Sequence, residues 1–318
     1  MNNIVFLNSS RIDFDEKLNF KAIDSLGNVT KYSHSNNEEI LKRVENQNII
    51  ISKELPIGRD LIEKFASSVK LICEAGTGYN NIDIASAKEK NIVVCNVPGY
   101  STEAVAQLVI TFILSLSSSL AHQQRMIEDK DYRNFTKHLM VPHFEIQGKT
   151  LGVIGAGAIG QQVIKIGKAL GMNILVYNRS YKDLGDPNIK FVTLKEVLME
   201  SDFVSLHCPL TSETKHLIDK SKLDLMKSTA FIINTSRGSL IKEDDLIEAL
   251  NEEKIAGAAL DVQDPEPPSL ENPLFSMRNV ILTPHIGWRC IESRQRLLDL
   301  LAENIKAFID EKAINTIL

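Results

Sequence analysis

The chain has 318 residues, 43% of them hydrophobic and 24% charged, which is enough for two domains with substantial cores. Its net charge of −5 argues against a surface for nucleic acid or anionic membranes. The cysteines lack C-x-x-C spacing and indicate neither a zinc site nor a disulfide framework, and no apolar run reaches the roughly 20 residues of a membrane span. The N-terminus enters a strand-like run without a basic leader, so we expect a cytoplasmic protein.

Residues 1–98 alternate between strand-like and helical patterns. Apolar runs at residues 4–7, 49–51, 71–73 and 92–95 predict strands, and residues 59–66 and 85–90 predict helices. This alternation is typical of a parallel sheet covered by helices. Residues 96–99, Asn-Val-Pro-Gly, interrupt the pattern and predict the first domain boundary.

Residues 101–121 predict a long helix with Ser101 as its N-cap. The helix is apolar on most of its faces, which indicates burial in a core or between subunits. Residues 122–147 are polar and irregular, and they predict either an arm that reaches a second subunit or a surface loop.

A dinucleotide-binding fingerprint opens the second half of the chain. A short apolar strand precedes Gly155, Gly157 and Gly160, which have G-x-G-x-x-G spacing, and a helical pattern follows them. The first glycine permits a tight turn, the second lets the backbone approach a pyrophosphate, and the third lets helix and strand pack closely. The helix N-terminus offers N–H groups and a positive dipole end to the phosphates. We therefore predict a dinucleotide cofactor.

A second series of strands is predicted from this point onward. The strands fall at residues 151–155, 174–178, 191–193, 203–208, 230–235, 256–261 and 280–283. Helices are predicted at residues 242–251 and 291–309, and we expect the last helix to return to the first domain. Ligands of open α/β sheets bind at the carboxyl ends of strands, so the loops there should carry the chemistry.

Three of these loops carry a cation, a carboxylate and an imidazole. Arg237 can bind a substrate carboxylate and polarise the neighbouring carbonyl with its planar donor fork. His285 can give a proton to a developing alkoxide, and Glu266 can bond the far ring nitrogen and fix the tautomer. Each residue alone has a structural alternative: an ion-pair partner, a solvated loop carboxylate or a satisfied core histidine. The three together favour carbonyl reduction with hydride from a nicotinamide.

The chain resembles the D-isomer-specific 2-hydroxyacid dehydrogenases over nearly its whole length. The resemblance rests on residues 75–83 (AGTGYNNID), 151–160, 207–211 (HCPLT), 234–238 (NTSRG), 259–262 (ALDV), 266–268 (EPP) and 283–288 (TPHIGW). It implies an α/β protein with two doubly wound parallel-sheet domains. A Rossmann cofactor domain, residues 99–288, would be inserted in a flavodoxin-like substrate domain, residues 1–98 and 289–318. It also implies a homodimer formed through the cofactor domain.

The resemblance assigns the site residues. It implies a catalytic triad of Arg237, Glu266 and His285, and a substrate carboxylate bound by the backbone at Thr77 and Gly78. Cofactor contacts would fall at Ala158, Ile159, Cys208, Pro209, Thr235 and Asp261, the last of these near the carboxamide.

Cys208 and several histidines are expected to take no direct part in the chemistry. Cys208 has no activating neighbour in the sequence, so we expect it to line the site with its backbone rather than act as a nucleophile. The remaining histidines, His207 among them, lack metal-like spacing and are expected at the surface or in the arm.

Within the family, residues 51–55 and 286–288 resemble glycerate dehydrogenases, or hydroxypyruvate reductases. This resemblance implies reduction of a small 2-oxo acid, of the hydroxypyruvate or glyoxylate kind, to the D-2-hydroxy acid. A phosphoglycerate or D-lactate-type dehydrogenase is the alternative among enzymes, and a dinucleotide-sensing corepressor is the alternative of another class. Lys53 follows a predicted strand, and either touches a polar substrate tail or is a solvated surface lysine.

The strand at residues 174–178 departs from the commonest family pattern at its end. An acidic residue about 20 positions past the glycines usually bonds the ribose 2′-OH of NAD. Here that position holds Asn178, followed by Arg179 and Ser180. Asparagine does not repel a 2′-phosphate, the arginine fork suits phosphate, and the serine adds a hydroxyl. We therefore predict a preference for NADP(H); the alternative, in which Arg179 stacks on adenine, leaves NAD(H) acceptable.

Overall fold

The computed structural model describes residues 2–317, which divide into two compact units. Unit 1 comprises residues 2–101 and 288–317, and unit 2 comprises residues 102–287. Each unit is built on one parallel sheet with helices, which confirms the predicted α/β class.

Unit 1 contains a five-stranded sheet in the order β2-β1-β3-β4-β5, the flavodoxin-like order. Its strands are β1 (Asn3–Phe6), β2 (Asn28–Lys31), β3 (Ile49–Ser52), β4 (Leu71–Glu74) and β5 (Val93–Cys95). Its helices are α1 (Lys21–Asp24), α2 (Asn37–Arg43), α3 (Arg59–Ile62), α4 (Ile84–Glu89) and, from the end of the chain, α12 (Ile291–Ile309). Helix α12 packs on α1 and β4 and buries Leu297, Leu298 and Leu301 in the core of this unit.

Unit 2 contains a seven-stranded sheet in the order β12-β11-β10-β9-β6-β7-β8. The order reverses between β6 and β9, as in a Rossmann fold, and ligands of such folds bind at that switch point. The strands are β6 (Thr150–Ile154), β7 (Asn173–Tyr177), β8 (Ile189–Phe191), β9 (Phe203–Leu206), β10 (Phe231–Asn234), β11 (Gly257–Leu260) and β12 (Val280–Leu282). The helices are α5 (Thr102–Ser117), α6 (Leu120–Glu128), α7 (Arg133–Thr136), α8 (Ala158–Ala169), α9 (Leu194–Glu200), α10 (Lys220–Leu223) and α11 (Glu243–Asn251).

The predicted helix at residues 101–121 ends early, and the predicted arm is partly helical. The hydroxyls of Ser117 and Ser118 bond the carbonyl of Leu114 and compete with the helical ladder, so α5 stops at Ser117. Helix α6 follows after a bend of 62°. Arg125 on α6 donates to the carbonyls of Met277 and Val280, which ties this polar helix to its unit. No single helix among residues 2–317 has the length and apolarity of a membrane span; α5 and α6 reach that threshold only together.

Two edge strands differ from the prediction for local reasons. Strand β2 was not predicted, because its sequence is polar and it pairs with β1 alone. Strand β8 lies at Ile189–Phe191 rather than at residues 191–193. Thr193 and Glu196 form a capping box that starts α9, so the strand has to end before them.

Candidate active site

His285 and Glu266 form a hydrogen-bonded pair in the loops after β12 and β11. His285 Nδ1 lies 2.9 Å from Glu266 Oε2, and the backbone N–H of Gln263 donates to Glu266 Oε1 at 3.0 Å. A carboxylate only accepts hydrogen bonds, so Nδ1 carries the hydrogen and Nε2 faces outward to exchange a proton. The imidazole is 23% exposed and is therefore not a core histidine, and the Glu266 side chain, 36% exposed, is hydrogen-bonded to it rather than to solvent alone.

Asp261 holds the turn that presents His285. Its Oδ1 accepts from the Thr283 hydroxyl at 2.6 Å and from the Ile286 N–H at 2.8 Å, and its Oδ2 accepts from the Gly287 N–H at 2.9 Å. Burial raises the pKa of this carboxyl, against the three hydrogen bonds that lower it. The bonds fix His285 at φ +52, a left-handed conformation that a non-glycine residue adopts only when its surroundings impose it. Asp261 therefore positions the imidazole; its contact with a carboxamide stays a prediction.

Arg237 follows β10 with its guanidinium outside any ion pair within residues 2–317. Its Nη1 donates to the Ser236 carbonyl at 2.7 Å, and its own carbonyl accepts from Asn234 Nδ2 at 2.8 Å. The structural ion-pair alternative for Arg237 is therefore wrong. The remaining donors of its fork are available to an anion.

The loop with Glu266 is fastened to the segment that follows Arg237. A side chain at Gly238 would start 2.0 Å from the Gln263 carbonyl oxygen, so the two backbones are in direct contact. The Ser239 hydroxyl donates to Asp264 Oδ2. Glu243 on α11 accepts from Asn272 Nδ2 at 2.7 Å and from the Asp264 backbone, so it holds the loop on both sides of Glu266. Burial raises the pKa of the Glu243 carboxyl.

The glycine turn lies at the switch point between β6 and β9. Gly155 has φ +102, and a side chain there would start 2.7 Å from the Cys208 backbone nitrogen. Gly160 lies against the Gly155 carbonyl oxygen, which a side chain would approach to 2.1 Å. In contrast, apart from its chain neighbours, no atom of residues 2–317 lies within 4 Å of the side-chain position at Gly157. The turn is thus packed on its inner side and open where the backbone should meet a ligand.

At the end of β7, Asn178 hydrogen-bonds the neighbouring backbone, whereas Arg179 is an exposed cation. Asn178 Oδ1 accepts from the Ala156 N–H at 3.0 Å, and its Nδ2 donates to the Ser180 carbonyl at 2.8 Å. The Arg179 side chain is 89% exposed and lies 3.7 Å from Glu213. An ion pair at that exposure is weak, so the guanidinium can move to another anion.

Unit 1 places Lys53 near the Thr77–Gly78 turn that follows β4. None of the hydrogen bonds within residues 2–317 uses the backbone N–H of Thr77 or Gly78. The Lys53 side chain is 3% exposed, so the solvated surface alternative is wrong. Burial lowers the pKa of its ammonium, but Tyr100 and nearby carboxylates more than compensate, and the pKa is raised.

Comparisons with known proteins identify the family. Residues 110–287 match the model described as "D-isomer specific 2-hydroxyacid dehydrogenase, NAD binding domain". A hydroxypyruvate reductase of Blautia hydrogenotrophica is 37% identical over 307 residues, covering 94% of this chain and 95% of the relative. A glyoxylate reductase of Thermococcus litoralis is 39% identical over 257 residues, covering 79% and 77%. The chain belongs to the D-isomer-specific 2-hydroxyacid dehydrogenases. The predicted resemblance is confirmed.

A solved member of this fold supports the dehydrogenase assignment over the full chain. An acyclic imino acid reductase in complex with NADPH and D-Arg superposes with a TM-score of 0.88 at 30% identity, covering 99% of this chain and 100% of that one. The dehydrogenase is thus similar to enzymes that bind a nicotinamide dinucleotide.

The residues of the dehydrogenase around the switch point fit such a cofactor. Thr235 Oγ1 and His207 Nδ1 are buried and make no hydrogen bond within residues 2–317, so polar ligand atoms could satisfy them. Ala158 and Pro209 are exposed beside the open Gly157 turn, and α8 begins without a side-chain cap. Burial raises the pKa of the Cys208 thiol to about 11, so it stays protonated.

Sequence reasoning missed several residues that shape the site of the dehydrogenase. His207 was expected at the surface or in the arm, but it lies behind the glycine turn, where burial lowers its pKa to about 4. The position of His207 directly after strand β9 is the sequence feature that could have indicated a place near the cofactor site. Ser239, Glu243 and Asp264 act across loops that are distant in sequence, and no local pattern indicates their contacts.

Proposed function

We propose that the protein reduces a small 2-oxo acid, of the hydroxypyruvate or glyoxylate kind, to the D-2-hydroxy acid. The observation that carries this proposal is the His285–Glu266 pair in loops after adjacent strands, with Arg237 next to the segment that is fastened to the Glu266 loop. The names of the hydroxypyruvate and glyoxylate reductases among the relatives support the substrate class.

In this reaction each member of the triad has a distinct task. Arg237 binds the substrate carboxylate and polarises the adjacent carbonyl with its fork. His285 Nε2 gives a proton to the oxygen as negative charge develops there. Glu266 keeps the hydrogen on Nδ1 and stabilises the imidazolium before the proton leaves. The nicotinamide, when bound, supplies the hydride.

In this proposal residues of unit 1 also bind the substrate. The unused N–H groups of Thr77 and Gly78 bind the substrate carboxylate. Lys53 contributes a buried positive charge near the same turn. The contacts of its ammonium, described below, decide which substrate tails it favours.

The cofactor is NADP(H) in preference to NAD(H) in this proposal. Gly155, Gly157 and Gly160, with Ala158 and Ile159, hold the pyrophosphate at the start of α8. Cys208, Pro209, Thr235 and Asp261 line the nicotinamide side. Asn178 itself does not repel a 2′-phosphate, and the exposed Arg179 can exchange its weak ion pair with Glu213 for that phosphate beside the exposed Ser180.

We propose a cytoplasmic homodimer formed through unit 2. The segment after α5 exposes a set of large apolar side chains, each more than 40% exposed: Leu120, Tyr132, Phe135, Leu139 and Met140. Large apolar side chains exposed in this number within one segment support an interface there.

A turnover panel tests the proposed reaction. Purified protein is assayed with NADPH or NADH against hydroxypyruvate, glyoxylate, pyruvate and a bulkier 2-oxo acid, and the product configuration is determined. We expect the highest kcat/KM with hydroxypyruvate or glyoxylate, and the D isomer. Absence of turnover with every 2-oxo acid, together with specific binding of peptides, would instead support the corepressor alternative.

A further inference from the structure

The end of β3 holds a buried ammonium against the substrate turn of unit 1. Asn8 fixes the backbone of Lys53 from both sides, accepting from its N–H at 3.0 Å and donating to its carbonyl at 2.7 Å. The side-chain position at Gly76 lies 3.1 Å from Lys53 Nζ, so glycine leaves the room that the ammonium occupies. Gly76 directly precedes Thr77 and Gly78. The Lys53 charge therefore lies beside the N–H groups proposed to bind the substrate carboxylate.

Glu54 covers this charge on the solvent side. Lys53 Nζ lies 2.7 Å from Glu54 Oε1 and 4.2 Å from the centre of the Trp288 ring. The Glu54 side chain is 30% exposed, ten times the exposed fraction of the lysine. The carboxylate is therefore the more accessible member of this ion pair.

A second carboxylate fixes the first. Glu74 is buried and accepts from the Glu54 N–H at 2.8 Å, from the Ser52 hydroxyl at 3.0 Å and from Asn81 Nδ2 at 2.9 Å. The first of these bonds holds the backbone of Glu54, which has φ +55, and the other two fix the Glu74 carboxylate that accepts it. The exposed Arg11 lies 3.4 Å from Glu54 and forms a weak surface ion pair with it.

We propose that Glu54 determines the substrate class by neutralising Lys53: the site accepts a 2-oxo acid whose third carbon bears hydrogen or a hydroxyl, and rejects one that bears a phosphate. The inference rests on the proposed function, because it assumes that Thr77 and Gly78 bind the substrate carboxylate. The third carbon is then only two bonds from that carboxylate. A hydroxyl there can donate to Glu54. A phosphate, which carries nearly two negative charges, is not attracted by the neutralised Lys53 and is repelled by the Glu54 carboxylate.

The test compares hydroxypyruvate with its 3-phosphate ester as substrates of the full-length protein. We expect the wild type to prefer hydroxypyruvate by at least about 100-fold in kcat/KM, because like charges at close range cost several kcal/mol. Glu54→Gln leaves the Lys53 charge uncovered and should improve the ester relative to hydroxypyruvate about 10-fold. Glu45→Gln, at an exposed position of the same unit, is the matched control and should leave the ratio unchanged.

The double variant Lys53→Met/Glu54→Gln identifies the origin of the gain. It should lose the improvement seen in Glu54→Gln, because no cation remains to attract the phosphate. A wild type that reduces both substrates equally well overturns the inference even if Glu54→Gln fails to fold, as does an unchanged ratio in that variant. Failure of the wild type to reduce either substrate would instead count against the proposed function.

Discussion

At the scale of single residues, His285 is the group whose removal should affect only the chemical step. We expect His285→Ala to lower kcat for 2-oxo acid reduction by about 10²–10⁴, the usual contribution of a general acid. The dissociation constant of the cofactor, measured by fluorescence titration, should not change. His34→Ala, at an exposed position of unit 1, is the control. A His285→Ala variant that keeps most of its kcat would exclude this residue as the proton donor.

Arg179 should discriminate between the two nicotinamide cofactors. Removing its guanidinium in Arg179→Ala should weaken NADPH binding by roughly 1.5–3 kcal/mol, the range for a hydrogen bond to a charged group, and leave NADH binding nearly unchanged. Titration of both cofactors into the variant measures the difference. Lys195→Ala removes an exposed charge elsewhere in unit 2 and should affect neither cofactor. Higher wild-type kcat/KM with NADH than with NADPH would show that the predicted preference is wrong.

His207 should make the folded protein sensitive to mild acid. Burial lowers its pKa to about 4, whereas the unfolded chain binds the proton near pH 6.5. As the pH falls from about 6.5 towards 4, His207 binds a proton in the unfolded chain but not in the folded one. The free energy of unfolding present at neutral pH therefore decreases over this range. Between pH 7 and pH 5 the wild type should lose about 2 kcal/mol more unfolding free energy than His207→Gln, measured by urea denaturation. His34→Gln, at an exposed position of unit 1, should behave like the wild type; equal losses in His207→Gln would show that the ring is not buried as a neutral group.

At the scale of elements, the fastening between the Arg237 segment and the Glu266 loop is open to a direct test. Ser239→Ala removes the hydroxyl that donates to Asp264 and should lower the unfolding free energy by about 1 kcal/mol. It should also lower kcat and alter the pH profile of kcat, because Glu266 and Arg237 lose their fixed relative position. Ser239→Thr keeps the hydroxyl and should restore both.

The matched control for that variant is Ser221→Ala. Ser221 makes a similar hydrogen bond to Asp219 at 2.7 Å, on the surface of the same unit. It should cost comparable stability without any effect on the pH profile. If the two alanine variants have the same kinetics, the fastening serves stability alone.

Elements with a clear apolar period could be predicted from the sequence, and elements made by tertiary contacts could not. Helix α12 occupies the predicted residues because its apolar positions repeat at helical spacing. Strand β2 has no such pattern, because it lies at the edge of the sheet and three of its four residues are exposed, so they need not be apolar. The His285–Glu266 pair was predictable because both residues follow strands. The brace from Asp261 and the ion pair at Lys53 depend on backbone geometry that no spacing rule contains.

At the scale of the whole molecule, the proposed homodimer predicts a particle of twice the 35.5 kDa chain mass in light scattering. Phe135 is 74% exposed in the apolar segment after α5, and Phe135→Glu should shift the protein towards the monomer, since an interface excludes an unpaired charge. Met199→Glu, at an exposed apolar position on α9, should remain dimeric. A monomeric wild type at micromolar concentration would contradict the proposal.

The discontinuous sequence of unit 1 has a consequence for synthesis on the ribosome. Its five strands are complete by residue 95, but the core face of the sheet is closed by α12, which starts at residue 291. At ordinary elongation rates the intervening residues take roughly 10–40 s to be made. During that interval the apolar face that will receive Leu297, Leu298 and Leu301 has no cover, while all of unit 2 emerges and can fold. A nascent chain paused before α12 should therefore be a client of chaperones through its first hundred residues, and release should end that dependence.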